Sequence, residues 1–307
     1  MISTAHTALH NLEGLIMKYQ DITNKIIAQM QTAGTACTNP IIGANIGMPR
    51  NAITGHRYSG INLVLLGLTG GSWATFKQWQ GKGCKVKKGE KGTQIVFFKP
   101  LKVEDRDTGE EIEIPMLKAF YVFHNAQVEA TDDKSQAFLD TLACKPANKA
   151  QSLADAEQWV ANTGATIRHT ERPSAFYSPM GDYIHMPHAA LFDDTKTSTA
   201  TEAYYSTLLH ELTHWTGHKS RCDREFKGKF GSPNYAFEEL VAELGAAFQC
   251  ALLGITPEPR EDHAQYLNSW VRCLKDEPKA IFKAAALAEK ALKHLEGLQL
   301  NAIEQAA

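Results

Sequence analysis

The run His210-Glu211-Leu212-Thr213-His214 constrains this chain more than any other feature, because its pattern has chemical meaning only on a helix. Two histidines four positions apart share one helical face and can ligate a single divalent ion, while the intervening glutamate is set to act as general base on an attacking water. The flanking residues agree with a helix. Thr199-Ala-Thr-Glu202 has the form of a capping box, Leu208, Leu212 and Trp215 recur at helical spacing, and Gly217 marks an end. Two ordinary helix histidines beside a solvated glutamate are the competing reading, and it leaves that context without a purpose.

The third ligand separates the subclasses of such sites. The pattern HExxHxxGxxH would require histidine at position 220, where Ser220 stands; Gly217 fits, but His218 comes two positions early. The other arrangement draws a glutamate from a second helix. Residues 235–253 read as that helix, closed by Gly254, with an apolar stripe of Phe237, Leu240, Val241, Leu244 and Phe248. Glu239 and Glu243 fall on a different face, shared with Ala242 and Ala246, whose small side chains let the two helices approach closely. Glu239 is therefore the expected third ligand, and Glu243, one turn on, the expected hydrogen-bond partner of a ligand histidine. A solvated acidic face is the plainer account of these glutamates, and His218 is the alternative ligand. Zn2+ is the expected ion, with Mn2+ as another. Tyr235, His185 and His263 are weaker candidates for stabilising an oxyanion. Arg221 and Arg224 either pair with carboxylates near Glu238 or belong to the surface.

A net charge of −2 conceals a segregation of charge. Residues 50–102 hold ten Lys or Arg against the single acid Glu90, so they sum to +9 and the remainder to −11. Such a split points to two modules, one facing a polyanion. Within the basic segment, Trp73-Ala-Thr-Phe76-Lys77-Gln78-Trp79 precedes a glycine- and lysine-punctuated stretch, and lysines neutralise phosphates while aromatic faces stack on unpaired bases. Arg50, Arg57, Trp73, Lys77, Lys82, Lys85, Lys87, Lys88 and Lys91 are the expected contacts to single-stranded DNA. Phe97, Phe98, Phe120, Tyr121 and Phe123 would extend the stacking surface. Trp73, Phe76 and Trp79 also have the spacing of the buried side of a short helix.

The element pattern predicts an α+β chain of two domains: an N-terminal α+β nucleic-acid-binding domain (1–130), a linker (131–150), and a mainly helical domain with a small sheet (151–307). Helices are expected over residues 1–35, 60–68, 73–80 and 152–163, and from Lys279 onward. Strands are expected at 94–99 and 117–123, forming a long hairpin, and around 166–169 and 182–186. Six scattered cysteines without a CxxC pair suit reduced thiols, and no secretion-signal layout opens the chain, so a cytoplasmic location is expected.

Taken together, Asn39-Pro40, Gly60-Ile61-Asn62, the 73–80 stretch, Lys88-Gly-Glu-Lys-Gly-Thr93, Asp182-Tyr-Ile-His-Met-Pro187, the run from His210 to His218 and Tyr235-Ala-Phe-Glu-Glu-Leu-Val-Ala-Glu-Leu-Gly245 resemble the ArdC-type antirestriction proteins of mobile elements. The resemblance covers nearly the whole chain. It implies a single-stranded-DNA-binding domain joined to a zincin-like metallopeptidase domain, with His210 and His214 as ligands, Glu211 as catalytic base and Glu239 as third ligand. It further implies protection of incoming plasmid DNA during conjugation. The alternative is an active zinc metallopeptidase acting on a host restriction protein or another protein, with DNA binding as a localisation device.

Overall fold

A computed structural model of the chain describes residues 19–36, 47–104, 111–142, 149–195, 198–224, 232–256 and 263–306. The expected helical positions Leu9, Leu12 and Ile16 lie outside them, as do Cys37 and Cys144.

The architecture is α+β in two parts. In the N-terminal part a four-stranded sheet has the order β1 (Arg50–Asn51), β2 (Ser72–Thr75), β5 (Glu111–His124), β4 (Thr93–Glu104). The hairpin expected from aromatic and β-branched content is β4–β5, antiparallel from Thr93 opposite Val122 to Glu104 opposite Glu111. Ile95, Val96, Leu117 and Val122 of this hairpin are buried. The helix expected over 73–80 is corrected: Ser72–Thr75 is extended and pairs with β5, and only Phe76–Gly81 is helical. Thr75 supplies the reason, since its hydroxyl accepts from Gln78 N and the Gln78 side chain bonds back to Thr75 N, a capping box that starts the helix there. Two short strands that sequence did not suggest, β3 (Cys84–Val86) and β6 (Val128–Ala130), pair antiparallel. Asp133–Thr141 is a further helix, capped by Asp132, with Phe138 set against Trp79 at 6.4 Å between ring centroids. Ala52, Ala74, Trp79, Cys84 and Val128 form a small core beneath this layer.

The C-terminal part has a three-stranded sheet, β7 (Thr166–Thr170), β9 (Tyr183–Pro187) and β8 (Phe176–Ser178), in that order, with β9 central. Its helices are Lys149–Ala161, Ala200–Thr216, Pro233–Leu253, His263–Asp276 and Ala280–Ala306. One apolar core runs through both parts: Ile22, Ile26 and Met30 of helix Tyr19–Ala36 pack in the same cluster as Trp270, Leu274 and Leu240. Polar ties reinforce the junction. Thr23 Oγ1 donates to Pro278 O at 2.7 Å, and Arg57 grips Glu296 of the last helix through two bonds of 2.6 and 2.8 Å. Among the described residues no helix is long and apolar enough to cross a membrane.

Candidate metal centre and basic face

Helix Ala200–Thr216 carries the motif. Thr199 and Glu202 form the expected capping box, and Gly217 closes the helix with right-handed backbone, φ −73. His210, Glu211 and His214 are 3%, 3% and 9% exposed, so the motif is turned inward.

Helix Pro233–Leu253 supplies the opposing face. Ser232 accepts from Tyr235 N at its start, and Gly254 ends it at φ 70, a left-handed cap suited to glycine. Sequence pointed to Ala242 and Ala246 as the small residues of the contact, and both are buried. The tightest approach, however, is at Gly245, where a Cβ would lie 2.3 Å from Thr213 Cγ2. Gln249 adds a polar clamp, donating to Thr213 Oγ1 at 2.9 Å and to Leu209 O at 3.1 Å.

This packing brings His210, His214 and Glu239 together, with one ligand atom from each lying within 4.8 Å of the others. Glu239 Oε2 is 3.5 Å from His210 Nε2, and its Oε1 is 3.5 Å from His214 Nε2. Donors about 2.0–2.1 Å from one ion at tetrahedral angles lie roughly 3.3 Å apart, so these separations suit a shared divalent cation. Two imidazoles and a carboxylate are also a donor set that such ions take. The other nitrogen of each ring faces a carboxylate: His210 Nδ1 is 3.4 Å from Glu243 Oε2, and His214 Nδ1 is 3.2 Å from Glu238 Oε1. Sequence reasoning singled out Glu243 but gave Glu238 no such part.

The electrostatics follow from crowding charges where water is scarce. Burial alone would push the His214 imidazole down, but Glu238 and Glu239 outweigh it and lift its pKa to about 10. Burial would raise Glu239, yet the two imidazoles hold it well below the carboxylate range. Glu238 is likewise held low against burial, by His214 and Arg224.

Residues 217–224 close over the helix end. His218 engages Ser220, its Nδ1 bonded to Oγ at 2.7 Å, and is not one of the three clustered residues. Arg221 stacks on Trp215, 3.8 Å from the ring centroid, donates to Trp215 O at 2.6 Å and grips Asp182 and Tyr177, which fastens the β8–β9 turn to the motif helix. Arg224 reaches Glu238, as one sequence reading had it. His185 is engaged on both nitrogens, by Thr170 Oγ1 and Ser174 O at 2.7 and 2.8 Å, so it serves the sheet rather than an oxyanion. The side chain of His263 lies outside the described residues.

The basic segment sorts into exposed and engaged groups. Lys77, Lys82, Lys85, Lys87, Lys88, Lys91 and Arg50 are exposed, and of these Lys85 pairs with Glu129 at 2.9 Å and Lys87 donates to Ala126 O at 2.8 Å. Two expected DNA contacts need correction. Trp73 is 6% exposed with its indole N–H donated to Gly70 O, so it belongs to the core. Arg57 is spent on Glu296 and ties the two parts together. Phe76 (53%), Phe97 (49%), Phe98 (53%) and Tyr121 (58%) are exposed aromatics of this part. Phe123 meets Phe76 edge-on at 6.5 Å, and Gly92 allows the chain to lie against Tyr121 and Phe123.

Comparison with known proteins matches both halves. The model for the N-terminal domain of anti-restriction factor ArdC covers residues 17–123, and that for a zincin-like metallopeptidase covers residues 154–287. The uncharacterized protein y4eC of Sinorhizobium fredii is 33% identical over 300 residues, 92% of this chain and 93% of that protein. A DNA primase TraC of Escherichia coli is 36% identical over 290 residues, where 89% of this chain spans only 26% of the primase. Among solved structures, the metal-free antirestriction ArdC protein of plasmid R388 superposes with a TM-score of 0.71 at 38% identity, over 92% of this chain and 98% of that one. Its Mn(II)-bound form gives 0.69 at 36% identity, over 93% and 99%. With such a relative matched almost end to end, the chain belongs to the ArdC family of antirestriction proteins.

Proposed function

We propose that this protein is an antirestriction factor of a mobile element that binds single-stranded DNA through its basic face and carries a divalent ion on His210, His214 and Glu239, protecting plasmid DNA entering a recipient by conjugation. The observation that carries the reading is the joining, in one chain of this family, of a lysine-rich face bearing open aromatics to the buried His-His-Glu cluster. Zinc is the ion proposed first; the Mn(II)-bound ArdC protein of R388 makes manganese the alternative. A bound ion would polarise a substrate carbonyl. Glu211, buried beside His210, would hold and return the proton of an attacking water, and Glu243 and Glu238 would keep the two imidazoles in register.

The test is transfer of an unmodified plasmid into restricting and non-restricting recipients, with and without this protein. The protein is expected to raise transfer only in the restricting strain. Glu211→Gln is expected to bind metal as the wild type does and to protect fully. Loss of protection by that variant, with metal retained, would favour the second reading: an active metallopeptidase acting on a host protein. The enclosure of Glu211 next to the cluster is what supports that second reading.

DNA binding has its own expected signature. Single-stranded binding weakens with salt by a slope of about 0.7 per neutralised phosphate, so replacing Lys87, Lys88 and Lys91 together by alanine should lower that slope by about 2. Phe76→Ala and Tyr121→Ala should each weaken binding by about 1–3 kcal/mol with little change in slope, since stacking is not ionic. Titration of a labelled oligonucleotide at several salt concentrations reads both effects, and an unchanged slope in the triple variant would move the site elsewhere.

A further inference from the structure

We propose that Arg224 and Glu238 act together as positioning residues that fix the imidazole of His214 for metal binding through Nε2; this rests on the metal reading above. Glu238 Oε1 lies 3.2 Å from His214 Nδ1, which leaves Nε2 pointed at Glu239. A ligand histidine whose far nitrogen bonds a carboxylate is held in one tautomer and one ring orientation.

Glu238 is itself held. Arg224 reaches its two oxygens with Nε at 3.3 and 3.2 Å and with Nη2 at 2.9 Å. The same guanidinium donates to Thr213 O at 2.6 Å and to Thr216 Oγ1 at 2.8 Å, in the last turn of the motif helix. One side chain thus references Glu238 to the very helix that bears His214. The pair is deeply enclosed, with side chains 4% and 10% exposed. Enclosed ion pairs contribute little to stability over apolar replacements, so a purely structural pair has no advantage here over leucine and methionine. The chain turns just before Arg224, at Asp223 with φ 51, the left-handed region that Asp adopts more readily than most non-glycine residues. The loop is braced by Lys290, whose Nζ donates to Cys222 O at 2.9 Å.

The probe is Zn2+ or Mn2+ in competition with a chelator, using the full chain. Replacing both charges by Glu238→Leu with Arg224→Met keeps the site packed and removes the partner of Nδ1; affinity is expected to fall about 10- to 100-fold. Glu238→Gln with Arg224→Met restores an acceptor, and is expected to recover a large part of that loss. If the wild type binds metal and both double variants bind equally well, the proposal fails; if the wild type itself binds none, the metal reading fails instead. A measurement that needs no substitution accompanies these. In the Zn2+-loaded wild type, ring 15N shifts should show His214 protonated at Nδ1 and ligated at Nε2, and ligation through Nδ1 would overturn the proposal even if the variants did not fold.

Discussion

Glu239→Ala should lose divalent-metal binding by more than the about 10- to 100-fold that removal of an outer partner costs, because it deletes one of three converging donors. Glu239 is also the carboxylate shared by both imidazoles, at 3.5 Å from each Nε2. Without it the two rings lose the anion that neutralises them. Chelator competition at matched folding measures the loss, and affinity retained in Glu239→Ala would shift the third ligand to another residue. The same titration has a pH signature in the wild type. His214 keeps its proton up to about pH 10 in the metal-free protein, through Glu238 and Glu239 acting against burial. A metal entering at Nε2 must displace that proton, so affinity should rise with pH, by at most about tenfold per unit for each proton released, and flatten as the pH approaches 10. A flat profile between pH 6 and 8 would mean that binding releases no proton in that range, so that Glu238 and Glu239 do not hold the His214 proton as far up as the geometry implies.

The parts of this site legible from sequence are those governed by helical periodicity. His210 and His214, and Glu239 and Glu243, are each related by a step of four, and period alone sets each pair on one side of its helix. Glu238 escaped because it neighbours Glu239 in sequence, a quarter-turn away, and its role depends on how the two helices are rotated against each other. Arg224 was only half legible. Its neighbours suggested a carboxylate partner, but the enclosure that distinguishes it from a surface arginine comes from the loop path after Gly217. On the basic face, charge was legible and aromatic exposure was not. Trp73, Phe76 and Trp79 look equivalent in a helical spacing, yet the switch from strand to helix at Thr75 sends Trp73 and Trp79 into cores and leaves Phe76 open. Arg57 shows the same limit, since its partner Glu296 is 239 positions away.

That two-helix geometry has a weak point which contacts among side chains do not reveal. Gly245 sits inside a helix, where alanine would ordinarily be favoured by about 1 kcal/mol. Here the expectation reverses. An added Cβ would meet Thr213 Cγ2 at 2.3 Å and Oγ1 at 2.7 Å. Thr213 is fully buried and cannot rotate aside freely, because its hydroxyl donates to Leu209 O and accepts from Gln249, each at 2.9 Å. The helices must therefore separate, which loosens the same interface that sets Glu239 against the two histidines. Gly245→Ala should destabilise the protein by about 1–3 kcal/mol. At about 2–4 °C per kcal/mol, that is a fall in Tm of several degrees. It should also weaken metal binding, and Gly245→Val should do both more severely. Gly297→Ala in the last helix is the matched control: nothing lies within 4 Å of its added Cβ, so Tm should hold or rise. Thr213→Ser removes the methyl of the closest contact while keeping the hydroxyl, so it should restore part of the Tm lost in Gly245→Ala. If Gly245→Ala and Gly297→Ala melted alike, close approach of these two helices would not be what glycine provides at 245.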